Sequence, residues 1–132
     1  MDDIRNLAPI RGLGLDLVPV ELISLAIGRD ANAAYAWLTK DEVDALGERA
    51  DLVETLAGRV AAKEAVVKAL GCGFDNEVAW QDVLIFVDES GAPKVRLTGG
   101  AALVAKENDV RHVLVTITHA GEYAAASACA MT

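Results

Sequence analysis

Asp16 closes an alternating apolar run, Glu64 and Lys68 stand one helical turn apart in a long helical segment, and His119 ends a strand rich in β-branched residues. Lys68, His119 and Asp16 each fall at the end of an element, where functional sites are commonly assembled. Asp16 points to the side of its run that carries Gly12 and Gly14, and glycines there leave room for close approach to the backbone. Two readings of Asp16 stand at this level: a ligand for a hard cation, or a cap for the helix that follows at Pro19 or Val20. Glu64 and Lys68 read as an ordinary i,i+4 pair or, with Arg59 and Lys63, as three cations clamping phosphate near one carboxylate. Lys63 falls inside the apolar stripe of Leu52, Leu56, Val60, Val67 and Leu70, and Arg59 lies at its edge. Their alternative is to snorkel, burying the stem and wetting the charge. His119 reads as a solvated strand-end residue or as part of the assembled site, and His112 as surface at the start of the same strand.

Several chemistries lack their residues. There is no Cys-x-x-Cys and no His-Glu-x-x-His, which argues against zinc. There is no Gly-x-Ser-x-Gly elbow and no phosphate loop with its lysine. Gly12-Leu13-Gly14 lacks the third glycine of a dinucleotide fingerprint. Cys72, between Gly71 and Gly73, has no base placed beside it by sequence, so thiol catalysis is not expected.

The elements that must position these groups follow from periodicity. Residues 10–18 alternate, with Leu13, Leu15 and Leu17 on one face and Gly12, Gly14 and Asp16 on the other, as in a strand. Pro19 starts a short helix over 20–28, and a second short helix is expected over 31–38. Thr39-Lys40-Asp41-Glu42 is a capping box, opening a helix that ends near Gly47. The longest helical run, 51–70, closes at Gly71. Residues 82–87 and 94–97 read as a hairpin around Glu89-Ser90-Gly91. An alanine-rich helix over 99–108 precedes strands at 111–119 and 123–131, joined at Ala120-Gly121. This order predicts an α+β fold, a largely antiparallel sheet packed with one long helix and short helices.

Composition sets the outer limits. At 132 residues, 53% of them hydrophobic and 24% charged, the chain reads as one globular domain with a lead of about nine residues. Its net charge of -8 argues against a general nucleic-acid binder, and 5% aromatic content leaves no stacking platform for single strands. No apolar run approaches the roughly 20 residues of a membrane helix, and the acidic start Met-Asp-Asp-Ile has no signal-peptide core. Two cysteines make no disulfide framework, so free thiols in the cytoplasm are expected.

Three segments, taken together, resemble the holo-acyl-carrier-protein synthase type of 4′-phosphopantetheinyl transferases. Gly12-Leu13-Gly14-Leu15-Asp16-Leu17-Val18 is similar to the first family motif. Residues 56–71, with Lys63-Glu64-Ala65 and Lys68 four beyond the glutamate, resemble the signature helix. Val115-Thr116-Ile117-Thr118-His119 resembles a Ser-x-Ser-His strand with both serines replaced by threonine. Residues 38–42 and 88–93 resemble family segments in the right order.

The resemblance implies transfer of the phosphopantetheine arm of coenzyme A to a serine of an acyl carrier protein or carrier domain, releasing adenosine 3′,5′-bisphosphate. It implies Mg²⁺ held by Asp16 and Glu64. Lys68 would pair with the pyrophosphate or position the serine, and Arg59, Lys63, Thr118 and His119 would hold coenzyme A. Gly71 to Gly73 and the turn at Gly91 to Pro93 would line the nucleotide groove. Either Glu64 or a water on the ion would take the serine proton. Short members of the family are usually homotrimers with sites at subunit junctions, so Arg59 and Lys63 are expected to face an interface cleft. The rival reading is a non-catalytic trimeric module of the same fold that binds coenzyme A. The chain departs from the family in one respect. The helix after Asp16 carries Glu21 and only one basic residue, Arg29, where members commonly present cations to an acidic carrier. Docking through apolar contacts such as Leu22, Ile23 and Leu25, for example of a carrier domain inside a large synthase, is one explanation. Weak coupling to a free carrier is the other.

Overall fold

The computed structural model describes residues 9–132. All but the end of the short lead, with its acidic start, lies outside the described residues. The chain runs β1 (Ile10–Pro19), α1 (Val20–Arg29), α2 (Lys40–Leu46), α3 (Leu52–Leu70), β2 (Val83–Val87), β3 (Pro93–Leu97), α4 (Gly99–Glu107), β4 (His112–Ala120) and β5 (Tyr123–Met131). The α+β expectation holds, and every strand pairing is antiparallel: one sheet in the order β1-β5-β4 and a separate β2-β3 hairpin. Single 3-10 turns occupy Ala33–Ala36 and Trp80–Asp82. The first stands where a full helix was expected; Asp30 carboxylate bonding to the Asn32 amide holds this stretch as a tight turn.

Helix α3 is the axis of the molecule. It packs on β1, β5 and β4, with β2, α1 and α4 on its other sides. Its small residues allow this, since Ala57, Ala61, Ala62 and Ala65 are wholly buried. The glycines of β1 complete the fit. A Cβ on Gly12 would fall on the carbonyl oxygen of Ala69, and one on Gly14 on that of Ala65. What approaches the glycine face is therefore α3 itself. A closing αL conformation at Gly71 (φ 83°) ends the helix, with amides of Gly71 and Cys72 returning to the carbonyls of Lys68 and Val67.

The leucine face of β1 is consequently turned outward. Leu13, Leu15 and Leu17 are 72%, 69% and 60% exposed, and Leu114 on β4 is 58% exposed. The register aligns Leu13, Cys129 and Leu114 in one row and Leu15, Ser127 and Thr116 in the next. Leu17, Ala125 and Thr118 form the third. The sheet thus presents an apolar and hydroxyl-bearing face with nothing over it among the described residues.

Candidate active site

Strand β1 and helix α3 bring three of the expected residues together. Because Gly14 lets β1 rest on α3, Asp16 reaches the helix flank that carries Glu64 and Lys68. The Lys68 ammonium donates to Asp16 Oδ1 at 3.0 Å and to the Leu15 carbonyl at 3.1 Å. Asp16 is therefore engaged across the packing seam and does not cap α1, whose start at Pro19 has no side-chain cap. Glu64 is partly buried beside them. Burial first, then the charge of Asp16, pushes its carboxyl up from the ordinary glutamate range, and Lys68 opposes this. Asp16 and Glu64 line one cavity of about 400 Å³, walled by Leu22, Trp37 and Trp80. Two mutually repelling carboxylates in an open cavity fit a divalent cation shared with a phosphate ligand. Among the described residues no group of three or more His, Cys, Asp or Glu converges as a closed metal cage.

A second pocket lies on the hairpin side of α3. Arg59 enters a cavity of about 430 Å³ with Arg49 and Arg96, bordered also by Asp41 and Glu42, against an apolar wall that includes Leu84 and Phe86. Burial, followed by the charge of Arg49, lowers the proton affinity of Arg59. Arg49 is bonded to Asp51 at 2.9 Å, and Arg96 lies 5.5 Å above the Phe86 ring. Cations crowded around an apolar cleft suit an anionic aromatic ligand. Sequence reasoning missed Arg49 and Arg96. Arg96 alternates outward along β3, a signal that existed, whereas Arg49 sits in a loop without periodicity.

Other expected residues lie elsewhere. The His119 imidazole rests beside Gly58, whose added Cβ would stand 2.8 Å from Nε2. Thr118, one residue earlier, belongs to the outer sheet face with Leu17. Gly71 and Lys68 line a groove of about 570 Å³ at the far end of α3. Arg59 and Gly71 are thus separated by about 18 Å of helix axis. Gly73 is exposed, and Pro93 begins β3.

Lys63 departs from expectation altogether. It neither snorkels nor faces a cleft: its side chain is fully buried and its ammonium donates to Glu42 Oε1 at 2.8 Å and the Trp80 carbonyl at 3.1 Å. Burial lowers its proton affinity while Glu42 opposes this. The physical reason is its position in the stripe, which turns it into the core, where only a buried acid can satisfy it. Ile23 is likewise corrected, since at 3% exposure it is a core residue and not a docking contact. Burial and nearby Asp75 raise the Cys72 thiol, which keeps it protonated and unreactive.

Known proteins share this fold. The family model of the 4′-phosphopantetheinyl transferase superfamily matches residues 12–128. The chain belongs to the 4′-phosphopantetheinyl transferase superfamily. A holo-[acyl-carrier-protein] synthase of Desulforudis audaxviator is 42% identical over 123 residues, covering 92% of this chain and 93% of the relative. The crystal structure of a holo-[acyl-carrier-protein] synthase from Neisseria meningitidis superposes with a TM-score of 0.85 at 27% identity, covering 93% of this chain and 99% of that one. A Bacillus anthracis synthase in complex with coenzyme A (3′,5′-ADP) superposes with a TM-score of 0.77 at 28% identity, over 95% and 99% of the two chains. As a member of this transferase superfamily the chain is an enzyme.

Proposed function

We propose that this chain is a holo-acyl-carrier-protein synthase, transferring 4′-phosphopantetheine from coenzyme A to a serine of an acyl carrier protein or carrier domain and releasing adenosine 3′,5′-bisphosphate. The observation that carries the reading is the meeting of Asp16 and Glu64 in one open cavity, with the Lys68 ammonium bonded to Asp16. Asp16 and Glu64 would hold Mg²⁺, and their hard oxygens and mutual repulsion fit that ion. When bound, it withdraws charge from the pyrophosphate and eases departure of the bisphosphate. Lys68 contacts a pyrophosphate oxygen and orients the incoming serine. The serine oxygen attacks the phosphorus that bears the pantetheine arm, and the bridging P–O bond breaks. Glu64, or a water on the ion, would accept the serine proton. Arg59, with Arg49 and Arg96, supplies cations for the phosphates of the adenosine end, against an apolar wall for the base.

The remaining groups support a site completed by a second copy. Thr118 lies on the outer sheet face with Leu17, and Gly71 stands about 18 Å along α3 from Arg59, a spread that suits a site shared between copies. The uncovered leucine face supports a homotrimer, because an apolar face of this extent is rarely left in water. The carrier is proposed to dock through Leu22 and Leu25, which are 60% and 49% exposed on one side of α1, Leu22 reaching the Asp16–Glu64 cavity. The free thiols Cys72 and Cys129 suit the cytoplasm as the place of work. Among the described residues no helix is long and apolar enough to cross a membrane.

The test is a panel of apo carriers, including excised synthase domains, incubated with the protein, coenzyme A and Mg²⁺ and read by intact mass. At least one carrier gains the mass of a single phosphopantetheine arm. Coenzyme A binding without transfer to any carrier would favour a non-catalytic module of the same fold. Absence of coenzyme A binding would end the reading.

A further inference from the structure

Lys63 has no part in the reaction above, yet it is the largest fully buried side chain among the described residues. Its partner Glu42 is as heavily used. Glu42 Oε1 accepts from Lys63 and, at 3.0 Å, from the Thr39 amide, which closes the capping box of α2. Glu42 Oε2 accepts the Ile85 amide of β2 at 3.1 Å. The Lys63 ammonium also holds the Trp80 carbonyl, and the Trp80 ring is stacked on Phe74 with centroids 3.9 Å apart. One ion pair therefore fastens four separate pieces: the start of α2, the middle of α3, the turn before β2, and β2.

Those pieces are the walls of the two functional pockets. Glu42 and Ile85 line the arginine pocket, and Trp80 lines the Asp16–Glu64 cavity. Lys63 and Glu64 are neighbours on one helix. The roll of α3 that turns Lys63 to Glu42 is the roll that turns Glu64 to the Asp16 cavity. Stability alone does not ask for charges here, because apolar residues of similar volume usually replace a buried ion pair without loss. We infer that the Glu42–Lys63 pair is a positioning element for coenzyme A, fixing the roll of α3 and the Trp80 wall so that the arginine pocket and the carboxylate cavity stay at one separation. Lys63 lines neither pocket and Glu42 borders the arginine pocket, and the pair acts through Trp80, Ile85 and the helix. The inference rests on the proposed transferase reading.

The test is the double variant Glu42→Gln/Lys63→Met, which removes both charges and leaves neither stranded. One amide oxygen cannot accept both the Thr39 and the Ile85 amides, so the variant's thermal midpoint falls and the assays are run well below it, where KM for coenzyme A rises about tenfold and kcat changes less. Adenosine 3′,5′-bisphosphate, titrated calorimetrically, binds more weakly by a similar factor. A double variant with unaltered KM and unaltered bisphosphate binding overturns the inference. The unaltered protein gives a second readout that needs no substitution. Saturation with coenzyme A shifts the NMR signals of the Lys63 ammonium and the Trp80 indole, and signals that stay in place overturn the inference even if the variant does not fold. Unaltered protein that binds no coenzyme A overturns the transferase reading and the inference with it, whereas a difference confined to the variant bears on the pair alone.

Discussion

Glu64 is half-withdrawn from water and faces the charge of Asp16, an arrangement that works against folding when both are ionised. Its carboxyl is held above the ordinary range, so its contribution to stability is full below the unfolded value. It is lost as pH rises through the folded value. At neutral pH, with a chelator present, Glu64→Gln should therefore raise the thermal midpoint, by roughly 2 °C. Differential scanning calorimetry across pH 5 to 8 checks this, and the advantage of the variant should shrink toward the acid end. The same variant should lose roughly 100-fold or more in transfer rate, because in the proposed site that charge holds the ion. A residue that gains stability and loses activity on neutralisation is the expected signature of a functional carboxylate.

At the scale of elements, the site depends on how closely β1 lies on α3. Gly14→Ala would drive a methyl group into the Ala65 carbonyl. The expected cost is about 3 kcal/mol in denaturant unfolding, with Asp16 carried away from Lys68. Gly28→Ala, in α1 with open space around its added Cβ, should instead stabilise by about 0.5–1 kcal/mol. Helix α1 offers a second check. Leu25→Asp should raise KM for the carrier about tenfold while leaving KM for coenzyme A unchanged in steady-state assays. Most of these elements could be read from the sequence because their signals are local: the Thr39–Glu42 box, the Gly71 cap, and the alternation of β1. The buried face of β1 could not. Alternation shows that leucines and glycines part company, but not that the glycine side meets a helix rich in alanine. Lys63 was legible as an anomaly, while its partner Glu42, in another helix, was not. Pairings across such separations arise only in the packed molecule.

At the scale of the whole molecule, the outer sheet face is the surface on which the proposed trimer rests. Leu13, Leu15, Leu17 and Leu114 leave an apolar surface that single chains do not cover. Sedimentation equilibrium should find three chains in the native particle. Leu15→Lys should shift it toward single chains and abolish transfer, because residues at opposite ends of α3 would no longer meet across a junction. This level was the least legible in the sequence. The motifs name the residues of the proposed site, whereas their distribution over both sheet faces emerges only from the register of β1, β5 and β4. The net charge of -8 adds a further constraint. An acidic molecule gains no electrostatic steering toward an acidic carrier, which is consistent with the apolar docking proposed for α1.

The central claim is that Asp16 and Glu64 jointly hold one divalent cation. Mn²⁺ as a paramagnetic stand-in, titrated in the presence of coenzyme A and followed by electron paramagnetic resonance, tests it most directly. One ion should bind per chain, and Asp16→Asn and Glu64→Gln should each weaken binding by about tenfold or more. Binding that is undiminished in both variants would contradict the account.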